Sequence, residues 1–279
     1  MQIIKTIATL KNELNFYKLA GKKIGFVPTM GALHEGHLSL IKRANEQNEV
    51  SVCSIFVNPT QFNNVDDFNK YPITLDADIE LLEKTNCTLL FLPTVAEMYP
   101  PDEVFYEYRL GDIETILEGK YRPGHFQGVC VIVDKLLEAV KPTVMYLGRK
   151  DYQQCMVIQT MMYYNLSEVK LVICETVREP DGLAMSSRNK RLNAQERLQA
   201  VCIITALKKL QQDVQHHNIE FAIIQATLFL KHNGFKVDYI AVADAETLLP
   251  ITNWDKKNKA VALVAAYLNE VRLIDNINL

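Results

Sequence analysis

Two histidines three residues apart, His34 and His37, sit in Pro28-Thr29-Met30-Gly31-Ala32-Leu33-His34-Glu35-Gly36-His37, between an apolar run and a stretch with helical spacing. The first turn of a helix offers free N–H groups and a positive dipole end, and side chains three apart on it face one way. Gly31 and Gly36 remove side chains that would block a close backbone approach. Backbone donors and two imidazoles could then meet one phosphate together. Simple capping of the helix by the histidines is the plainer alternative. Metal binding fits less well, because HxxH lacks the i, i+4 spacing and adjacent Glu of the zinc pattern and no third ligand is evident. Neither GxxxxGK(S/T) nor GxGxxG occurs.

Three further groups have the chemistry to complete such a site. Asn58 and Gln61 carry amides that can donate to a carboxylate or hydroxyl without adding charge, or can simply hold a turn. In Gly148-Arg149-Lys150-Asp151 the lysine can neutralise phosphate oxygens and the aspartate can hold a ribose hydroxyl or a metal-bound water. An exposed Lys-Asp turn has the same composition. The hydroxyls of Ser186 and Ser187 and the guanidinium of Arg188 can clamp a triphosphate as charge moves onto departing pyrophosphate. Asp78 opens a helical stretch, where it can serve as a metal-side carboxylate or merely oppose the dipole.

These groups need a scaffold that brings them to one rim. Apolar, β-branched runs at 23–28, 50–57, 87–92, 143–147 and 169–174 read as buried strands, with helical spacing at 36–49, 74–83 and 128–140 between them. Alternating strands and helices predict an α/β fold: a Rossmann-like parallel sheet with helices on both faces. The 28–37 segment then follows the carboxyl end of a strand, where open sheets bind ligands. After Arg191 the pattern changes to a long helix over 194–213 capped by Asn193, a helix over 220–232, and strands at 237–242 and 260–266. The expected division is a ligand-binding domain over 1–175 and a smaller C-terminal α+β domain over 176–279.

The 279 residues are 48% apolar and 23% charged, with 30 Lys and Arg against 33 Asp and Glu. That balance predicts an ordinary globular chain with no global field for nucleic acid or anionic lipid. Lys, Asn and Glu interrupt every early apolar stretch, so no signal h-region is read and a cytoplasmic location is expected. The longest apolar run, 260–268, is far short of the roughly 20 residues that cross a bilayer. The six cysteines are scattered, without CxxC or CxxH, which indicates neither a zinc site nor a disulfide framework.

The HxGH segment resembles the phosphate-binding signature of the nucleotidyltransferase superfamily that includes class I aminoacyl-tRNA synthetases. With Phe56-Val57-Asn58-Pro59-Thr60-Gln61-Phe62, Tyr121-Arg122-Pro123-Gly124-His125-Phe126, Leu147-Gly148-Arg149-Lys150-Asp151-Tyr152-Gln153-Gln154 and Met185-Ser186-Ser187-Arg188-Asn189, it is similar in content, order and spacing to the pantothenate synthetase family over residues 20–195. The resemblance implies ATP-dependent joining of pantoate to β-alanine through a pantoyl adenylate, with Mg2+ and a homodimer. It implies ATP contacts from Met30, Gly31, Ala32, Leu33, His34, Glu35, Gly36, His37, Gly148, Arg149, Lys150, Asp151, Val177, Met185, Ser186, Ser187 and Arg188. His34, His37, Lys150, Ser186, Ser187 and Arg188 would be catalytic, and Met185 to Arg188 would be the counterpart of the mobile KMSKS loop. Gln61 and Gln154 would hold pantoate from opposite sides, with Gln61 also reaching β-alanine, and Asn58 would assist. One departure stands out: the family's Tyr-Pro-Arg-Thr reads Tyr71-Pro72-Ile73-Thr74 here. The rival readings are a transferase moving AMP onto a phosphate ester, a silent nucleotide-binding module, and an RNA-aminoacylating enzyme, for which no basic anticodon-binding region is present.

Overall fold

The computed structural model describes residues 1–62, 65–101 and 105–279, and within it the chain forms two compact units. The first comprises Met1–Leu110, Pro123–Arg149 and Val157–Glu175; the second comprises Gly111–Arg122, Lys150–Met156 and Thr176–Leu279. The second unit therefore takes two segments that the sequence pattern leaves with the first.

The first unit is built on a parallel sheet of β1 (Gln2–Ile4), β2 (Ile24–Thr29), β3 (Val50–Ile55), β4 (Leu89–Phe91), β5 (Val144–Gly148) and β6 (Lys170–Cys174), in the order β1-β4-β3-β2-β5-β6. Every strand pair is parallel. Such strands are buried on both faces, which is why they read as unbroken apolar runs. Val27, Cys53, Leu90 and Tyr146 join Leu40, Ile41, Ala44 and Leu82 in one core, under the helices Glu35–Gln47 and Leu75–Glu83. Their strand neighbours Phe26, Val52, Leu89 and Met145 point to the other face, as the two-residue period requires, and are equally buried. The helix His125–Val140 is apolar on most sides and correspondingly sunk, with Phe126, Val129, Cys130, Ile132 and Leu136 all inside. From β2 the chain moves outward through β3 and β4, then restarts on the opposite side at β5. That reversal puts the switch in strand order at the carboxyl ends of β2 and β5, the place where open α/β sheets hold ligands.

The second unit packs the helices Cys202–Asp213 and Ile219–His232 on an antiparallel sheet of β7 (Phe235–Asp244), β8 (Ala260–Leu268) and β9 (Val271–Asn278). β8 and β9 are joined by Asn269 and Glu270, with Asn269 at φ 49°, the positive φ that a two-residue hairpin favours. The helix expected over 194–213 is instead two, Ala194–Gln199 and Cys202–Asp213. Ala200 and Val201 keep right-handed helical dihedrals, but the Ile203 N–H reaches back only three residues, to the Ala200 carbonyl at 3.1 Å. The break is thus a tightened turn, not a change of path. Among the described residues, no helix is long and apolar enough to cross a membrane.

Candidate active site

β2 ends at Thr29, whose hydroxyl donates to the Ser54 carbonyl (2.8 Å) and accepts the Gly31 N–H (3.2 Å). The chain then turns through two left-handed residues, Gly31 at φ 81° and Ala32 at φ 49°. This strained turn is fixed by one carboxylate. Asp78, 2% exposed, takes the Ala32 N–H on Oδ2 and the Leu33 N–H on Oδ1, both at 2.8 Å, and its Oδ1 also receives the Thr74 hydroxyl at 3.1 Å. Both oxygens of Asp78, expected as a metal-side carboxylate, thus hold the turn, and the residue also lines the cavity beside it.

His34 caps the helix Glu35–Gln47, its Nδ1 accepting the Gly36 N–H at 3.1 Å. A nitrogen that accepts cannot carry the proton, so the neutral ring carries it on Nε2 and presents a donor. One turn on, the His37 ring lies 4.1 Å from the His34 ring, centroid to centroid. Capping and ligand binding, posed as alternatives by the sequence, are therefore compatible: the cap uses Nδ1 as an acceptor and puts the ring proton on Nε2. Met30, Gly31, Ala32, Leu33, Glu35 and Gly36 complete the same turn. A cavity of about 260 Å³ flanks residues 30–32 and is bounded by the ends of β3 and β4 and by residues 72–75, including the exposed Ile73.

Gln61 closes the short turn Pro59–Gln61 after β3, and it is 8% exposed. Its Oε1 accepts from Asn58 Nδ2 (3.3 Å), and its Nε2 points at Met30 Sδ (2.7 Å), so this amide adjoins the turn after β2. His125 Nδ1 faces the Gln61 carbonyl at 2.7 Å and must be the donor there. The helix His125–Val140 approaches this turn at Gly128, where a Cβ would lie 2.3 Å from the Thr60 carbonyl oxygen. Asn58, expected to touch substrate, is 1% exposed, with Oδ1 and Nδ2 both bonded to protein. Its Nδ2 is the group that meets the Gln61 oxygen. At the end of β5, a Cβ on Gly148 would meet nothing, so the protein itself does not require a glycine there. Arg149 pairs with Glu175 at 2.8 Å.

The remaining nominated residues, Lys150, Asp151, Gln154, Val177, Met185, Ser186, Ser187 and Arg188, belong to the second unit. Burial alone would raise the Asp151 carboxyl pKa, but Lys150 Nζ at 3.2 Å, with the charges of Arg188 and Arg122, holds it below the ordinary carboxylate value. Asp151 is thus a charged acceptor among cations. Val177 and Met185 are brought together by the Met185 N–H on the Val177 carbonyl (3.0 Å), beside a bridge between Arg178 and Ala184. Ser186 then caps the turn Ser187–Arg191, accepting the Arg188 N–H at 3.3 Å. Gln153 and Gln154 are treated differently. Gln153 is buried and bonds Ile113, Ile116 and Glu118, whereas the half-buried Gln154 amide bonds no described protein group. Asn276 Nδ2 donates to the Lys150 carbonyl at 2.9 Å, and Tyr152 donates to the Ala245 carbonyl at 2.7 Å. Sequence reasoning missed the supporting roles of Thr74, Asp78, His125 and Arg122. The last two lay inside a quoted segment, but nothing local marked their partners.

The model of the family described as pantoate-beta-alanine ligase matches residues 2–278. The pantothenate synthetase of Bacteroides fragilis is 46% identical over 279 residues, covering 99% of this chain and 98% of the relative. That of Thermotoga petrophila is 44% identical over 280 residues, covering 99% of each. Among solved structures, pantothenate synthetase from Thermus thermophilus superposes with a TM-score of 0.93 at 39% identity, covering 99% of both chains. Pantoate-beta-alanine ligase from Francisella tularensis, complexed with beta-gamma ATP and beta-alanine, has a TM-score of 0.79 at 38% identity, covering 99% of this chain and 97% of that one.

Proposed function

The chain belongs to the pantoate-beta-alanine ligase family, and from that premise we propose how its residues divide the work. It is an ATP-dependent ligase that joins pantoate to β-alanine to make pantothenate. A carboxylate is a poor electrophile, so the acid must first gain a leaving group. In the proposed first step a pantoate carboxylate oxygen attacks the α-phosphorus of ATP, the bond to pyrophosphate breaks, and pantoyl adenylate forms. In the second, the β-alanine amine attacks the acyl carbon and AMP departs.

The observation that carries the assignment of roles is the Asp78-braced turn, which sets His34 and His37 at the carboxyl end of β2. Their N–H donors, with the first N–H groups of the helix, stabilise charge on the phosphates. Lys150 and Arg188 neutralise that charge, and Ser186 and Ser187 add hydroxyl donors. Asp151 accepts ribose hydroxyls, Gly148 leaves room for the nucleoside, and Val177 and Met185 flank the base. The Gln61 and Gln154 amides hold the uncharged hydroxyl end and the carboxylate of pantoate. Among the described residues no cluster of three His, Cys, Asp or Glu could cage a metal. The Mg2+ that the resemblance implies would be carried mainly by ATP phosphates and water, and would supply further charge neutralisation.

A labile adenylate must be kept from water until the amine arrives. We place that task on the second unit as a lid, and small-angle scattering should show compaction when ATP and pantoate are added together. The resemblance supports a homodimer. It likewise supports a cytoplasmic location. The deciding experiment is AMP release with each substrate omitted in turn. AMP should accumulate only with ATP, pantoate and β-alanine all present; equal release without pantoate would remove the assignment.

A further inference from the structure

We propose that Tyr99 is a positioning residue for the ligation, acting through Asn58 to fix which end of the Gln61 amide faces the substrate. The inference rests on the reading of Gln61 as a pantoate-binding residue and deepens it. An amide has a donor end and an acceptor end of nearly equal size, so its orientation is set only by its neighbours. The neighbours here form a chain. The Tyr99 hydroxyl donates to Asn58 Oδ1 at 2.6 Å, the shortest of the contacts to that atom; the Thr60 hydroxyl and N–H follow at 3.1 and 3.4 Å. With three donors on that side, the Asn58 oxygen must be there and its NH2 must be opposite. That NH2 donates to the Gly128 carbonyl (3.1 Å) and to Gln61 Oε1 (3.3 Å). The Gln61 oxygen is therefore turned inward, and its Nε2 is the end presented beside Met30. A donor is what a carboxylate or hydroxyl oxygen needs; a reversed amide would offer it a lone pair.

The Tyr99 ring is held for this task. Phe56 and Phe105 lie 6.2 and 5.5 Å from it, centroid to centroid, and Lys135 Nζ sits 5.7 Å over its face. The Tyr99 N–H, bonded to the Val95 carbonyl at 2.8 Å, closes the turn that aims the ring. Nothing about position 99 in the sequence signals this, since it lies 41 residues from Asn58.

The test is a double-mutant cycle read separately in KM and kcat, with thermal melting of every variant. Tyr99→Phe keeps the ring and removes the hydroxyl. It should raise KM for pantoate about 5-fold, the scale of one neutral hydrogen bond, and leave KM for ATP unchanged, with a fall in melting temperature no larger than that one bond accounts for. In a Gln61→Ala background the same substitution should do nothing more, because its effect runs through Gln61. Asn58→Asp, which has no donor to offer Gln61 Oε1, should raise KM for pantoate further than Tyr99→Phe does. If Gln61→Ala leaves KM for pantoate at the wild-type value, the reading of Gln61 falls. If Gln61→Ala raises it while Tyr99→Phe has no effect, or an equal effect with and without Gln61, the role of Tyr99 alone falls.

Discussion

The two groups of site residues are held in place by different forces. In the first unit the phosphate turn is fixed by backbone N–H groups converging on the buried carboxylate of Asp78, and Gln61 is oriented by neutral amides and a phenol. In the second unit charge does the holding. Arg272 makes paired bonds to Glu118 at 2.7 and 2.8 Å and another to Asp238 at 2.8 Å, and Arg178 grips the buried Asp275 at 2.6 and 3.0 Å. Through Glu118 and Gln153 this network secures the segment that carries Lys150, Asp151 and Gln154. Removing a partner from a buried ion pair leaves an unpaired charge behind, which losing one N–H or amide bond does not. The comparison teaches that the first group is held through backbone donors and amides, and the second through paired charges.

The sharpest way to break this contrast is to remove one member of the buried ion pair. Glu118→Gln leaves Arg272 without its main partner, and loss of one partner from such a pair costs about 3–5 kcal/mol. Denaturation should show that loss, while Asp78-dependent features are retained. Burial raises the Glu118 pKa, but Arg272, by hydrogen bond and charge, brings it to a net value below the ordinary one. A depressed folded pKa contributes stability that is complete above the unfolded value of about 4.3 and is lost as pH falls through the folded value. The wild type should therefore lose stability on acidification below that range, and Glu118→Gln should lose less over the same interval. Parallel acid curves for the two proteins would contradict the assignment.

Next in size are the histidines, which test whether the phosphate turn serves chemistry or only structure. His37→Ala should cut adenylate formation by ~10²-fold or more, the scale of one transition-state donor, with melting close to wild type. His34→Ala should do the same and also lose a cap, at a cost of about 1 kcal/mol. Single-turnover pyrophosphate release near the wild-type rate in His37→Ala would reduce the residue to a structural one.

Much of this division was legible beforehand and some of it was not, for physical reasons. Buried parallel strands announce themselves by unbroken apolar runs, so β2 to β6 were readable, and with them the placement of His34 and His37. β1 is a three-residue edge, and β9 buries Asp275 and Asn276, so neither shows an apolar signature. A sequence also cannot say which polar atoms have partners. Asn58 and Gln61 look alike as amides, yet one is enclosed by protein and the other presents its nitrogen. Asp78 reads as a first-turn acid, and only the fold puts it against N–H groups 45 and 46 residues away. The same long-range pairing moves Gly111–Arg122 and Lys150–Met156 into the second unit.

The smallest predicted effect probes the turn itself, through two neighbouring residues with opposite expectations. Gly31 and Ala32 both have positive φ, but only Gly31 suits it. Gly31→Ala should cost about 1–2 kcal/mol, from the left-handed backbone and from a new Cβ 3.1 Å from Asp78 Oδ2 and from Ile55 Cγ2. That crowding presses on the carboxylate that accepts the Ala32 N–H, so KM for ATP should rise as well. Ala32→Gly relieves strain in the folded state but gives the unfolded chain more freedom, and the two nearly cancel. Its melting temperature should stay close to wild type, and so should its KM for ATP, because both N–H bonds to Asp78 remain. If Ala32→Gly weakened ATP as much as Gly31→Ala does, the turn would be held by its side chains and not by the carboxylate beneath it.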